Sequence, residues 1–379
     1  MKRRSRKDDA FARILRAKGN PEELDRILQE ECRRRTSKKL AATLLSAPGF
    51  RFPTELSAEQ CTADDVAAFH ASLVEEGARV VDLTCGLGVD AFHIARRAES
   101  VMCMDMDEAV AAAIKPNAVA LGLDNVSAIC CDCRTWLDGA HGEKYDVAFI
   151  DPARRAADGS RLYSLSQCNP DVTQLIPLVE KIAPRLIVKA SPMLDLSKTL
   201  TELPYVKDVY AVGTKAECKE LLFDIRFGYE GKASVHAVTA GEGIFSLGEP
   251  REAAYARELK VGDTIGEPWP AVMKVQPRGQ LSGEQLHPST FLFRNPDSGF
   301  PGNLYEVTGI EDFSSSTMRR MAREGVTASV ATRNFPLSAD ELRKRLRAAE
   351  SSEIRLMATT LAPNTQILVY LSADFAKNS

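Results

Sequence analysis

The 379-residue sequence has no apolar run near the roughly 18 residues that a membrane-spanning helix requires. Its start, Met1-Lys-Arg-Arg-Ser-Arg-Lys-Asp-Asp9, is basic but has no apolar stretch of the kind a secretory signal carries, so no signal peptide is expected. The nine cysteines lack the spacing of a disulfide framework, and several stand inside apolar strands, which fits reduced thiols in a cytoplasmic protein. No second C-x-x-C and no paired histidines accompany Cys130-Cys-Asp-Cys133, so no metal site is expected and these thiols read as small buried hydrophobes. Internal repeats and low-complexity tracts are also missing.

What remains is an ordinary globular composition, 44% hydrophobic and 27% charged, long enough for two or three domains. Charge is uneven. Residues 1–40 hold 14 Lys and Arg against 7 Asp and Glu, a local +7 in a chain of net −3. The clusters Lys2-Arg3-Arg4, Arg6-Lys7 and Arg33-Arg34-Arg35 suit phosphate contacts and a solvated helical arm equally.

Residues 1–75 read as a helical region. Asn20 before Pro21 marks one helix start, and Ser57-Ala-Glu-Gln60 and Thr62-Ala-Asp-Asp65 resemble capping boxes. From 76 to 230 short apolar runs at 79–83, 100–104, 125–131, 145–150 and 185–190 alternate with helical stretches. This predicts an α/β domain with a parallel, doubly wound, Rossmann-like sheet. Two further strands, 206–212 and 221–228, are too close for a crossover helix and predict an antiparallel hairpin. Residues 231–300 are rich in Gly and Pro and suggest a small β-rich module. Residues 301–379 then predict strand, helix, strand, helix and two closing strands, with Ser338-Ala-Asp-Glu341 as the capping box of the second helix.

Between Arg79 and Arg155 four strand ends carry polar or glycine-rich tips, where ligands bind in an open parallel sheet. The first is Asp82-Leu-Thr-Cys-Gly86-Leu-Gly88. Its glycines permit a sharp turn and close backbone approach, but Gly86-Leu-Gly88-Val-Asp-Ala91 also fits the dinucleotide fingerprint. Asp82 at the strand end would repel a pyrophosphate, whereas it suits a ligand with a sulfonium and an α-amino group. The tip thus resembles the first motif of class I S-adenosylmethionine-dependent methyltransferases, with Thr84 where that family usually has a glycine.

The resemblance implies cofactor contacts by Asp82, Thr84, Gly86 and Gly88, ribose hydroxyls on Asp105 of Cys-Met-Asp105-Met-Asp107, and the adenine amine near Asp132. Asp107 reads as a helix cap. The fourth tip, Asp151-Pro152-Ala153-Arg154-Arg155, begins like the motif of enzymes that methylate exocyclic nitrogens. It then departs from that motif and resembles that of the 5-methyluridine RNA methyltransferases. Those use a cysteine after the next strand; here that strand ends in Lys189-Ala-Ser-Pro192. Ser166-Gln-Cys168-Asn-Pro170 precedes the helix at 171–182, so Cys168 reads as loop structure with Asn169 or Asp171 as cap. Asp151 and the Pro152 carbonyl are the expected catalytic groups, orienting a nucleophile for in-line attack. Arg154, Arg155 and Lys189 are the expected substrate contacts.

Phe52-Pro-Thr-Glu-Leu-Ser-Ala-Glu-Gln60, Val80-Val-Asp-Leu-Thr-Cys-Gly-Leu-Gly-Val-Asp90, Ile150-Asp-Pro-Ala-Arg-Arg155, Val188-Lys-Ala-Ser-Pro-Met-Leu-Asp195 and Ala331-Thr-Arg-Asn-Phe-Pro-Leu-Ser-Ala-Asp-Glu-Leu342 together resemble a family of THUMP-like class I methyltransferases. Trimethylguanosine synthase looks like a more distant relative. The resemblance covers about 50–375 and implies a ferredoxin-like module near 231–300 and a THUMP-like module at 301–379. It implies S-adenosylmethionine as cofactor and RNA, tRNA among its classes, as partner. The expected function is methylation of an RNA base nitrogen. The alternatives are a non-catalytic RNA-binding protein that retains cofactor affinity, a protein or small-molecule methyltransferase, and a nicotinamide-dependent oxidoreductase.

Overall fold

A computed structural model of the chain describes residues 17, 19–139, 142, 144–153 and 164–372. It divides into two compact units, 1–212 with 220–234, and 213–219 with 235–379. Among the described residues no helix is long and apolar enough to cross a membrane.

The first unit is built on strands β1 (Arg79–Asp82), β2 (Ser100–Asp105), β3 (Val126–Cys130), β4 (Val147–Ile150), β5 (Arg185–Ala190), β6 (Val206–Gly213) and β7 (Cys218–Arg226). Their order in the sheet is β3-β2-β1-β4-β5-β7-β6. β1 to β5 pair in parallel, as helical crossovers demand, and β7 runs antiparallel to β5. The order reverses between β1 and β4, so the ends of those strands open the crevice in which such sheets bind ligands. Residues buried on both faces, such as Leu186, Ile187 and Val188, explain why β5 reads as a continuous apolar run. One helix, Cys133–Gly139, lies where the sequence pattern predicts none.

The helices of 21–72 are part of this unit rather than a region apart. Asn117 accepts from Arg51 N at 2.8 Å and donates to Arg51 O at 2.9 Å, and Phe50 meets Phe92 edge-on at 6.1 Å. Asn20 caps the helix Pro21–Thr36 as expected. The next cap differs from expectation. Thr54 and Ser57 form the reciprocal box, so Ser57 lies inside the helix Glu55–Gln60. Thr62 caps nothing; Ala63 is the N-cap of the helix Asp64–Ser72, and Asp64 turns away to accept from Ala42 N and Thr43 N.

In the second unit a seven-stranded sheet has the order β11-β12-β10-β13-β16-β15-β14. After the antiparallel pair β8 (Ser234–Thr239) and β9 (Gly243–Ser246), its strands are β10 (Thr264–Pro268), β11 (Glu284–His287), β12 (Thr290–Arg294), β13 (Gly302–Asp312), β14 (Ser329–Arg333), β15 (Ile354–Leu361) and β16 (Thr365–Ser372). β13 to β16 with the helices Ser315–Glu324 and Ala339–Leu346 reproduce the expected tail, including the Ser338–Glu341 box. The 231–300 segment does not close on a sheet of its own. β10 pairs antiparallel with β13 from Thr264–Glu306 to Pro268–Gly302, so its backbone groups are satisfied by the tail. Two clusters fill this unit, one around Val307, Met357 and Val369, the other around Leu342, Leu346 and Leu356 beneath the helices.

Candidate functional site

A cavity of about 250 Å³ opens at the ends of β1, β2, β3 and β4. The Asp82–Gly88 loop, Asp105, Met106, Cys131 to Arg134, Asp151, Ala153, Asn169 and Pro170 line it. Three of the expected tips therefore converge with the start of the fourth. Ser57, Gln60, Cys61 and Thr62 add a wall from the N-terminal helices, which the sequence reading did not place at the site.

The loop is held by its own backbone. Gly86 and Gly88 have φ of +53° and +83°, the left-handed region that glycine enters without steric cost. At Gly88 a Cβ would also stand 2.7 Å from Ile114 Cδ1 and 2.8 Å from Phe92 Cζ, so the position is closed to a side chain twice over. Gly86 N donates to Asp105 Oδ2 at 3.0 Å, and Asp107 N to Asp105 Oδ1 at 2.9 Å, which fixes the β2 carboxylate against the loop. Each oxygen keeps a lone pair for a ligand hydroxyl. Asp107 caps the following helix through Ala109 N and Val110 N, as expected. Asp132 is clasped by Arg134, whose Nε lies 2.9 Å from Oδ1. That hydrogen bond, ahead of the small opposing effect of burial, lowers the Asp132 pKa.

Thr84 has a structural reason to replace the usual glycine. Its hydroxyl accepts from Asp151 N at 2.7 Å, tying the first tip to the fourth. Pro152 is buried, and Ala153 pairs with Asn169 in a short antiparallel bridge, Ala153 N to Asn169 O at 2.9 Å. Arg154 and Arg155 lie outside the described residues.

Lys189 is not the open phosphate contact the sequence suggested. It is buried, and its Nζ stands 2.7 Å from Asp151 Oδ2, 2.8 Å from Thr62 Oγ1, 3.5 Å from Asp90 Oδ2 and 3.7 Å from Glu220 Oε2. The strand that carries it is buried along its whole length, so the ammonium must find its partners inside. His70 completes the cluster, with Nδ1 2.8 Å from Asp90 Oδ1 and Nε2 against Glu220 Oε1. Burial alone would push the imidazole pKa down; Glu220 and Asp90 outweigh it and raise it to about 9. The Asp90 carboxyl, which burial would raise, is held well below the carboxylate range by Lys189 and His70. His70, Thr62 and Glu220 escaped the sequence reading. A glutamate directly before the apolar Leu221-Leu-Phe223 was the available signal.

Asp82 behaves in the opposite way. It is 2% exposed and accepts from Thr84 N at 3.1 Å. Burial pushes its carboxyl well above the usual range, the Thr84 amide opposes this, and Asp90 and Asp151 push further up. Burial thus works against the negative charge that the sequence reading expects at Asp82. The cysteines are corrected too. Cys133 is buried, but Cys131 is half-buried and Cys130 exposed, because β3 is the edge strand. Cys168 directs its sulfur to Ser164 O at 3.6 Å and does not line the cavity; Asp171 caps the following helix. Among the described residues no group of three His, Cys, Asp or Glu is placed to hold a metal ion.

The residues fit an adenosine-bearing ligand with a cationic tail: a glycine loop that admits close approach, a fixed acid on β2, a second on the loop after β3, and a buried acid on β1. Comparison with known proteins agrees. Residues 74–223 match a methyltransferase domain model, and 302–372 a THUMP domain-like model. The chain is 34% identical over 110 residues to a 23S rRNA (uracil(1939)-C(5))-methyltransferase RlmD of Alkalilimnicola ehrlichii, covering 27% of this chain and 24% of that protein. The corresponding protein of Idiomarina loihiensis is 33% identical over 85 residues, 22% of this chain and 19% of its own. The chain thus spans a quarter or less of the curated relatives it matches. A crystal structure of a Porphyromonas gingivalis W83 protein assigned to the methyltransferases superposes with a TM-score of 0.83 at 26% identity, covering 97% of this chain and 98% of that one. The chain thus carries a methyltransferase domain over 74–223 and a THUMP-like domain over 302–372.

Proposed function

We propose that the protein is an S-adenosylmethionine-dependent RNA methyltransferase that acts on a base nitrogen. The observation that carries the choice of nitrogen is the state of the thiols around the cavity. Cys61, Cys85, Cys131 and Cys133 line it. Burial raises the pKa of Cys61, Cys131 and Cys133, the last to about 11, and the contact with Cys103 ahead of burial raises that of Cys85. A covalent route through carbon needs a thiolate, and these surroundings favour none. The curated relatives are named for uracil C5, so this chain departs from them at the chemistry while sharing their sequence pattern.

Bound S-adenosylmethionine supplies an activated methyl group. The protein's part is then positioning. Asp151, held by Thr84 on its amide and Lys189 on its carboxylate, offers an acceptor at the cavity for an amine N–H, which aims the nitrogen lone pair. The proton that the methylated nitrogen sheds passes to the Asp151 carboxylate and from there to solvent. The THUMP-like domain would supply phosphate contacts through Arg319, Arg323, Arg345 and Arg347, all exposed on or beside its two helices. Transfer RNA is the substrate we favour, and the cytoplasm, with its reducing pool, the compartment.

The test is transfer of labelled methyl from S-adenosylmethionine to bulk RNA of a strain lacking the protein, followed by nucleoside mass spectrometry. A methylated base nitrogen is expected, and Asp151→Ala should abolish incorporation while S-adenosylhomocysteine affinity stays within about threefold. A product methylated at uracil C5, or wild-type turnover by that variant, would remove the nitrogen mechanism.

A further inference from the structure

We propose that Asp82 selects cationic ligands by giving up a proton: loading of the cavity with a ligand that carries an ammonium or sulfonium group releases the Asp82 proton, and loading with a neutral adenosine does not. This rests on the cavity being the cofactor site of the proposed function.

The argument is a contrast between two carboxyls on one cavity wall. Asp82 at the end of β1 is 2% exposed and Asp90 in the helix Val89–Ala95 is 9% exposed. Both line the cavity. Asp90 has Lys189 Nζ at 3.5 Å, His70 Nδ1 at 2.8 Å and the Thr62 hydroxyl at 2.6 Å. It is surrounded by donors and cations, so it stays ionised. Among the described residues Asp82 has one amide donor, Thr84 N at 3.1 Å. Three other loop amides are spent elsewhere: Gly86 N on Asp105, Cys85 N on Met104 O, Gly88 N on Cys85 O.

Among the described residues the charges facing Asp82 are Asp90 from the loop helix, Asp151 after β4 and Lys189 on β5, with the un-ionised Cys85 thiol on its own loop and Asp105 near that thiol on β2. Behind Lys189 stand Glu220 on β7 and His70 of the helix Asp64–Ser72. Lys189 acts on Asp82 as a cation, yet its ammonium is already held by Asp151 at 2.7 Å and by Thr62 at 2.8 Å. An ionised Asp82 would thus be a buried anion with one hydrogen bond and two like charges, the circumstances that keep a carboxylic acid protonated. A cation brought to the cavity reverses that balance. The O–H bond of Asp82 breaks, its proton passes to the buffer, and the carboxylate pairs with the ligand's positive charge.

Calorimetry in two buffers of different ionisation enthalpy counts protons directly. The probes are S-adenosylhomocysteine, which carries an α-ammonium group, and 5′-methylthioadenosine, which shares its adenosine thioether but has no charge. For the wild-type full chain we expect net proton release with the first and none with the second. Affinity for S-adenosylhomocysteine should rise with pH, by up to about tenfold per pH unit while Asp82 is protonated in the free protein. The isosteric Asp82→Asn should bind both probes without proton release. Equal proton counts for the two probes, or undiminished release in Asp82→Asn, would overturn the proposal while leaving the methyltransferase reading intact. Failure of the wild type to bind either probe would overturn both.

Discussion

Lys189 Nζ lies 2.7 Å from Asp151 Oδ2, so the lysine expected at the substrate instead stands beneath the carboxylate expected to meet it. Its ammonium is 3% exposed and also faces Asp90 and Glu220. Removing one partner of a buried ion group is far more costly than its net value, because the remaining charges are left uncompensated. Lys189→Met should therefore cost about 3–5 kcal/mol of stability, read by urea unfolding. A loss below about 1 kcal/mol would show that the lysine is not the cluster's counter-ion.

The two loop glycines should fail differently. At Gly88, positive φ combines with the clash on Ile114 and Phe92, so Gly88→Ala should destabilise by about 2–4 kcal/mol, from strain and overpacking together. At Gly86 a Cβ meets nothing within 4 Å. Gly86→Ala should cost about 1 kcal/mol for the left-handed backbone and act chiefly on S-adenosylhomocysteine affinity, since the added methyl occupies ligand space. Thermal unfolding with and without that ligand separates the two effects.

Stability should fall at both ends of the pH range for separate reasons. Burial would raise the Asp64 carboxyl, but the His93 ring and the Thr43 hydroxyl and amide outweigh it and hold its pKa at about 2. A depressed carboxyl stabilises above its unfolded value and loses that contribution as pH falls. About 2 kcal/mol should disappear between pH 4 and 2, and Asp64→Asn should lack this acid limb. His70 is raised to about 9, so its contribution is complete below its unfolded value and is lost as pH climbs from about 6.5 through 9. His70→Asn should flatten that alkaline limb in denaturation series.

In the THUMP-like unit the counterpart is Glu267. It is buried, with Oε2 2.6 Å from Arg355 Nη1 and Oε1 2.8 Å from Arg333 Nη2, bridging β10 to β14 and β15. Glu267→Gln keeps an acceptor but removes the charge shared by two part-exposed guanidiniums and should cost about 1–2 kcal/mol. Hydrogen exchange should quicken in β10, β13 and β15 while β1 to β5 stay protected. Uniform quickening across both units would contradict a local role.

The alternation of apolar runs with helical stretches was enough to locate every strand from β1 to β7 and all six elements of the tail, because period and length are local properties of the chain. The tips were legible for the same reason: a strand end followed by Gly86-Leu-Gly88, or by Asp105, carries its meaning in a few adjacent residues. In the 231–300 segment β10 pairs with β13, a partner beyond the segment that the local pattern does not mention. The Thr62 start misled, since its hydroxyl is claimed by Asp90 and Lys189 rather than by its own helix.

Sequence by itself determined the class I sheet, the THUMP-like tail and the polar tips at the strand ends, all of which follow from short-range patterning. Only the tertiary structure decided their charge. Asp82 and Asp90 are the same residue type eight positions apart, yet burial pushes the carboxyl of the first up while Lys189 and His70, brought from β5 and the N-terminal helices, hold the second down. Protonation depends on burial and on neighbours remote in the chain, and those exist only once the chain has folded.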